Sequence, residues 1–547
     1  MEGARGVQVV WLKRDLRVVD HEPLARAAAA GPVLVLYVDE PSVLASPQMA
    51  QCHQDFIDEC LAEIDAWCRF RGGQLIRRVG AVVDVLEQLH SGLGISHLWS
   101  HEETGYEVTY ARDRAVGAWS RAAGVPWSEC RQNGVVRALR SRNGWARQWQ
   151  AAMAAAPLPE VTGIALVTGE QVRAAGVDDV LDQISVPDRA ARAVRDRLRA
   201  RGVELAGPSM PRAQRGGERA AHAVLESFTS DRARGYRGGI SAPLRAEING
   251  SRLSPYLAWG AISPRTVLAA TRARQKTADA RTRAGLTAME SRMAWRDHFT
   301  QKLEDEPRIE TACVHRGFEA MRPRTPDAAG LQAWRDGETG YPLVDAVQRC
   351  LAVTGFVNFR MRAMVTSFAA YHLWLDWRAL DPILARRFLD WEPGIHVSQL
   401  QMQSGVTGIN AIRIYNPVKQ AYDQDAEGSF IKRWVPELGD VPPMWIAEPH
   451  RMDASLQSRF NVSIGSDYPQ PIVDNAAAMA QARALVHAWR DRPDLQAEAR
   501  RVRQRHASRA GAAARGTSVA GAEDTVTPTR PRRRTPKPPP AQGQLDF

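Results

Sequence analysis

The sequence predicts an α/β plus all-α protein: an N-terminal doubly wound parallel-sheet domain over 1–130, a connector over 131–220, a helical domain over 221–494 and a basic tail over 495–547. Three observations predict it. Apolar runs of strand type alternate with longer amphipathic segments through the first 130 residues, the pattern of a parallel sheet covered by helices on both faces. From about 221 onward the periodicity is helical and strand-type runs nearly vanish. The end is Pro/Arg-rich, with Pro-Arg-Arg-Arg-Thr-Pro-Lys-Pro-Pro-Pro at 531–540, a composition that cannot bury a core and predicts disorder.

The elements follow in order. Strands are expected at 7–12, 33–38, 74–79, 97–100 and 125–130, separated by helices at about 22–30, 51–71, 81–90 and 107–123. No G-x-G-x-x-G follows the first strand, so the dinucleotide fingerprint is absent. The first strand runs instead into Trp-Leu-Lys-Arg-Asp-Leu-Arg-Val-Val-Asp-His at 11–21. In the connector, 188–201 reads as a basic, solvated helix. A long helix spans 287–304 and places Arg292, Trp295, Arg296, Phe299 and Leu303 on one face. A second helical block, 342–377, is interrupted at Thr354-Gly355. There is no internal repeat.

Composition excludes several classes. The chain has 547 residues, 44% of them hydrophobic, enough for two or three domains. No apolar run is long enough to span a membrane, and the first twenty residues read as strand and loop. Six cysteines form no CxxC pair, so neither a disulfide framework nor a metal site is expected. A reduced, cytoplasmic protein is the expectation. The formal net charge is +11, which suggests a polyanionic partner. Residues 501–547 hold ten Lys/Arg against three Asp/Glu, so most of that excess is in the tail.

One stretch carries chemistry on spacing alone. Gly-Ser-Arg-Leu-Ser-Pro-Tyr-Leu-Ala-Trp-Gly (250–260) contains a helix start at Ser254-Pro255. A helix start offers N–H donors to an anion, Ser251 and Ser254 add hydroxyls, and Arg252 adds a cation. Ser263-Pro264 repeats the device. Alone, such a pair is an ordinary cap.

The words around it raise the odds: Gly-Tyr-Arg-Gly-Gly-Ile-Ser (235–241), Glu-Ser-Arg-Met-Ala-Trp-Arg-Asp-His-Phe (290–299), Gly-Tyr-Pro-Leu-Val-Asp-Ala (340–346), Asn-Phe-Arg-Met-Arg (358–362), Leu-Asp-Trp-Arg (375–378) and Phe-Ile-Lys-Arg-Trp-Val-Pro-Glu-Leu (430–438). In this order they resemble the flavin-binding half of the cryptochrome/photolyase family, and the resemblance spans roughly 7–475. It implies FAD folded back on itself in the helical domain. Tyr236, Gly250, Ser251, Arg252, Leu253 and Ser254 would hold it, with Arg296, Arg362, Asp390, Trp391, Glu392 and His396 around the flavin. It implies a UV-damaged DNA partner whose flipped dimer meets Arg292, Trp295, Phe359, Met402, Lys419 and Gln420, and a monomer. The two cysteines of the C-terminal half, Cys313 and Cys350, are too few for the iron–sulfur cluster of one bacterial branch.

Several positions depart from the family. Arg292 stands where dimer photolyases carry Glu, and Phe359 where Asn is common. His21 replaces Asn. Thr109 and Tyr110 replace the Asn-Glu pair that binds a folate antenna, which argues against folate and leaves a deazaflavin, another flavin or no second chromophore open. The electron-supplying tryptophan chain keeps Trp377 alone; Trp374 and Trp391 are candidates for another route. Gly394 and His396 are candidates to face flavin N5. The expected function is light-driven repair of pyrimidine dimers by a photo-lyase. A cryptochrome photoreceptor, a (6-4) photolyase and a non-photochemical DNA-binding protein are the alternatives.

Overall fold

The computed structural model describes residues 6–177, Ile184 and 187–506. Five parallel strands, β1 (Val7–Leu12), β2 (Val33–Asp39), β3 (Leu75–Val79), β4 (Ile95–His101) and β5 (Trp127–Cys130), form one sheet in the order β3-β2-β1-β4-β5. The helices Glu22–Ala30, Gln51–Phe70, Val82–Leu93 and Glu107–Ala123 connect them. All five expected strands and all four expected helices are present, with ends shifted by a few residues. The sheet is doubly wound, and its strand order reverses between β1 and β4, which opens a crevice at the strands' C-terminal ends.

Strand alternation divides the core. Val9, Trp11, Leu34, Leu36 and Ile76 face Leu86, Leu89 and Val116 on one side. Val10, Leu12, Val35, Tyr37 and Val79 face the other way, into a hydrophobic core that continues unbroken through the helical part. The two halves therefore share a core.

Polar ties reinforce that junction. Arg14 donates to the Ala258 carbonyl at 3.1 Å and to the Trp391 carbonyl, and Arg17 to the Gly260 carbonyl at 3.0 Å. Gly260 has φ +70°, and a Cβ there would lie 2.1 Å from the Arg14 carbonyl oxygen, so only glycine fits. His21 caps the helix Glu22–Ala30: its Nδ1 accepts from the Leu24 N–H at 3.1 Å, and its Nε2 meets Asp15 Oδ2 at 3.0 Å. His101 Nδ1 meets the same oxygen at 2.7 Å. Because Nδ1 of His21 accepts, its Nε2 carries the proton and has no lone pair for a metal. This buried Asp15–His21–His101 group is a hydrogen-bond junction.

Two expectations need correction. The basic helix of the connector is Pro187–Arg199, and it is not simply solvated: Ala190, Val194 and Leu198, at i, i+4 and i+8, are buried in the core. The tail does not lose order at 495. The helix Gln496–His506 docks on Glu306, where His506 Nε2 meets Glu306 Oε2 at 2.6 Å and Arg501 lies 3.4 Å from Oε1. The rest of the expected disorder lies outside the described residues. Among the described residues no helix is long and apolar enough to cross a membrane.

Candidate FAD and DNA site

The long helix Ala280–Asp305 forms one wall of the site. Asp279 caps it by accepting from the Arg281 and Thr282 N–H groups. Its cavity face presents Arg292, Trp295, Arg296 and Phe299, while Leu303 continues the same stripe into the core. The helices Phe359–Ser367 and Pro393–Gln403 form the opposite side. Together they enclose a cavity of ≈ 500 Å³, within the size range of ligand sites.

Two largely buried ion pairs line this cavity. Arg362 grips Asp390 in a fork, Nη1 to Oδ1 and Nη2 to Oδ2, both at 2.9 Å. Burial pushes the Asp390 carboxyl up, but Arg362 and the Ser254 hydroxyl outweigh it and hold it below its ordinary value. Arg296 joins Glu392 Oε2 at 2.9 Å and the Leu257 carbonyl at 3.0 Å. Burial there prevails over Arg296 and Arg14, and raises Glu392.

The 250–254 loop lies along this cavity, and Gly250, Ser251, Arg252 and Ser254 line it. The local geometry differs from expectation. The helix is only Ser254–Ala258; its N-cap is Leu253, with no side-chain cap bond, so Ser254 is its first residue and serves Asp390 instead. The second Ser-Pro pair behaves as predicted: Ser263 accepts from the Thr266 N–H. Leu253 is fully buried in the core. Arg252 adopts φ +60° and stacks on Phe356 at 3.7 Å. It has no ion-pair partner among the described residues, and burial lowers its pKa, with Glu247 and Asp390 opposing. A half-buried guanidinium without an ion-pair partner suits an anionic ligand such as a diphosphate.

Tyr236 and Met402 also line the cavity. Phe359 is 46% exposed at its rim. Lys419 and Gln420 do not line it: Lys419 pairs with Asp423 at 2.8 Å, and Gln420 is buried in the helix Pro417–Gln424. The two candidates for the flavin N5 position also turn away. His396 lines a small adjoining cavity, but its Nε2 bonds the Asp381 backbone carbonyl at 3.2 Å and lies 3.0 Å from Asp381 Oδ1. Gly394 packs on Thr300, where a Cβ would come within 2.6 Å. Ile395, Gln399 and Gln403 face the cavity instead, a stripe at i, i+4 and i+8 that the sequence reading missed. Three buried polar atoms of lining residues lack partners: Asn358 Oδ1, Arg360 Nε and Gln399 Nε2. Such orphans fit a polar ring system set among them.

Two family models match the chain: "DNA photolyase" over residues 8–151 and "FAD binding domain of DNA photolyase" over 289–488. A deoxyribodipyrimidine photo-lyase of Streptomyces griseus is 31% identical over 504 residues, covering 87% of this chain and 98% of the relative. The chain belongs to the cryptochrome/photolyase family. A cryptochrome DASH of Natronomonas pharaonis is 29% identical over 485 residues, covering 85% of this chain and 98% of its own. A class III photolyase of Agrobacterium tumefaciens superposes with a TM-score of 0.74 at 24% identity, covering 89% and 98%. The C-terminal half is thus a photolyase-type FAD-binding domain, and its fitted group is FAD.

The three candidate electron-route tryptophans do not line the large cavity. Trp377 is buried at the start of the helix Trp377–Arg387, so the expected block 342–377 ends earlier, in a π-helical turn, Phe368–His372. Trp374 sits between, at φ +52°. Trp391 lines the small adjoining cavity and also the crevice at the sheet's C-terminal end. That crevice is ≈ 70 Å³. Arg112 fills it with pairs to Glu103 at 2.6 Å and Glu40 at 3.3 Å. Thr109 lines it, whereas Tyr110 turns to Glu304 at 2.8 Å.

Proposed function

We propose that this chain repairs UV-induced pyrimidine dimers in DNA with light, holding FAD in the large cavity and the flipped lesion at its mouth. The observation that carries the reading is the mouth itself. Trp295 and Phe359 offer aromatic surfaces there with Arg292 and Arg296, in the same cavity that the Arg362–Asp390 pair lines. An unstacked base gains roughly 1–3 kcal/mol from an aromatic platform. Flipping costs a few kcal/mol, least for a damaged pair. Bound reduced FAD supplies the photoexcited electron.

The chain's residues do the remaining work. Arg252 and the 250–254 backbone bind the diphosphate. Arg362, fixed by Asp390, places a cation that favours negative charge on the flavin. Arg292 has no hydrogen-bond or ion-pair partner among the described residues, so its charge is available to a lesion that gains an electron. It cannot reproduce the hydrogen bond of a Glu. Arg292 and Phe359 favour a second reading, a cryptochrome-type light sensor on the same flavin. No histidine lines the large cavity among the described residues, which counts against (6-4) chemistry needing a histidine acid. A second chromophore at the sheet crevice requires Arg112 to move, since ≈ 70 Å³ is well below the roughly 300 Å³ of a small ligand site.

The purified protein is expected to release FAD on denaturation and, in the dark, to hold a thymine-dimer oligonucleotide more tightly than its undamaged twin. Equal affinity for the two would contradict the repair reading; absence of flavin would contradict both light-driven readings.

A further inference from the structure

Each tryptophan that could replace the broken chain carries a guanidinium on its face. Arg14 lies 5.1 Å from the Trp391 ring, Arg322 4.6 Å from Trp374, and Arg378 4.4 Å from Trp377. Arg322 is buried, and its two terminal nitrogens have no hydrogen-bond partner, so no ion pair among the described residues offsets its charge beside Trp374, although Asp376 acts on it at longer range. A tryptophan that has lost an electron is a cation, and Trp391 and Trp374 would face a like charge, whereas Arg378 beside Trp377 is paired with Glu319 at 2.8 Å and Asp376 at 3.1 Å. A positive hole is disfavoured at Trp391 and Trp374 unless it can pass to a group that sheds a proton as it is oxidised.

Among the described residues only Trp391 has such a neighbour in ring contact. The Tyr106 ring is 5.8 Å from it, edge to face at 72°, and the indole N–H lies near the Tyr106 hydroxyl, outside hydrogen-bond geometry. The Tyr106 hydroxyl donates to Asp381 Oδ1 at 3.3 Å. Gln48 donates to the same carboxylate at Oδ2, 2.5 Å away, and His396 Nε2, bonded to the Asp381 backbone carbonyl at 3.2 Å, lies 3.0 Å from Oδ1. Tyr106 and Asp381 are both buried. Trp391 and His396 line the small cavity that shares Arg362, Asp390 and Gln399 with the flavin site. Two walls of that cavity thus converge on one phenol–carboxylate pair.

We infer that Tyr106 is a proton-coupled electron donor to Trp391, with Asp381 as the proton acceptor; the inference rests on the flavin reading above. Trp391 gives one electron to a light-excited oxidised flavin. Tyr106 then gives one electron to Trp391, restoring the indole. The phenolic O–H breaks as its proton crosses to Asp381 Oδ1. Trp391 ends unchanged, Tyr106 a neutral radical and Asp381 a neutral acid, so no positive charge remains beside Arg14. Asp381 acts as a carboxylate positioned in advance by Gln48 and His396.

The test is electron paramagnetic resonance of the full-length flavoprotein, oxidised, illuminated and frozen. A tyrosyl signal is expected, and its hyperfine pattern should narrow when the protein is grown on ring-deuterated tyrosine. Tyr106→Phe should remove that signal and leave a shorter-lived tryptophanyl one. Trp391→Phe should remove both. Asp381→Asn should slow the appearance of the tyrosyl radical and abolish its solvent deuterium effect. A tyrosyl signal unchanged in Tyr106→Phe, a wild-type protein showing tryptophanyl radical alone, or photoreduction at the normal rate in Trp391→Phe overturns the inference while the flavin reading stands. A wild-type protein that carries no flavin overturns both.

Discussion

Breaking the Arg362–Asp390 pair should separate its contribution to stability from its contribution to the cofactor. At 2.9 Å and an effective dielectric of ~20, the attraction is about 6 kcal/mol. Part of it offsets the burial of two charges, since the Asp390 and Arg362 side chains are 6% and 22% exposed. Arg362→Met leaves Asp390 buried with Ser254 as its remaining partner, and should cost about 3–5 kcal/mol. Asp390→Asn keeps one hydrogen bond to the fork and should cost less. The double variant removes both charges, so its loss should fall short of the sum by about 2 kcal/mol or more. Urea denaturation of the four apoproteins measures this cycle, and flavin released per mole of protein measures binding. All three variants should lose flavin, the double included, although its stability partly returns. Wild-type flavin occupancy in the double variant would refute a cofactor role for the pair. A single-variant cost below about 1 kcal/mol would refute its burial.

Three further outcomes are expected. Lys302 is buried beside Arg142 with no acidic partner among the described residues, and burial pushes its amine down to about 7. The unfolded chain therefore binds the extra proton between about pH 7 and 10.5, and stability contributed at this site rises with pH across that window; below it the cost is complete, up to about 5 kcal/mol. Lys302→Met should raise the melting temperature at pH 7 and flatten the rise, and calorimetry at both ends checks it. Trp295→Ala should weaken binding to a dimer oligonucleotide by roughly 1–3 kcal/mol with flavin content unchanged; a titration showing no loss removes it from the lesion site. Cutting after His506 removes seven Lys/Arg and three Asp/Glu and should flatten the salt dependence of nonspecific DNA binding, while flavin stays bound.

The sheet was legible because its signal is local: apolar runs spaced by amphipathic helices define a parallel sheet almost residue by residue. The cavity wall of Ala280–Asp305 was legible for the same reason, since Arg292, Trp295, Arg296 and Phe299 share one helical face. What failed to show needed the third dimension. Ser254 looked like a cap, yet Asp390, distant in sequence, claims its hydroxyl. His396 sat at the right place in the chain for the flavin, but Asp381 turns it away, and the neighbouring face of its own helix, Ile395 and Gln399, takes the cavity. Lys419 read as a phosphate contact until Asp423, four residues on, paired with it. The helix Gln496–His506 is so rich in Arg that it read as tail; Glu306, on another element, and the burial of Val502 in the core explain why it docks.

The most direct measurement is recovery of base absorbance from a thymine-dimer oligonucleotide mixed with the chemically reduced protein, under blue light and in the dark. The account predicts recovery in light alone, which Arg252→Glu abolishes together with bound flavin. A protein that binds flavin and photoreduces normally, yet leaves both the dimer and a (6-4) lesion intact in light, would contradict it and move the chain to the light-sensing reading.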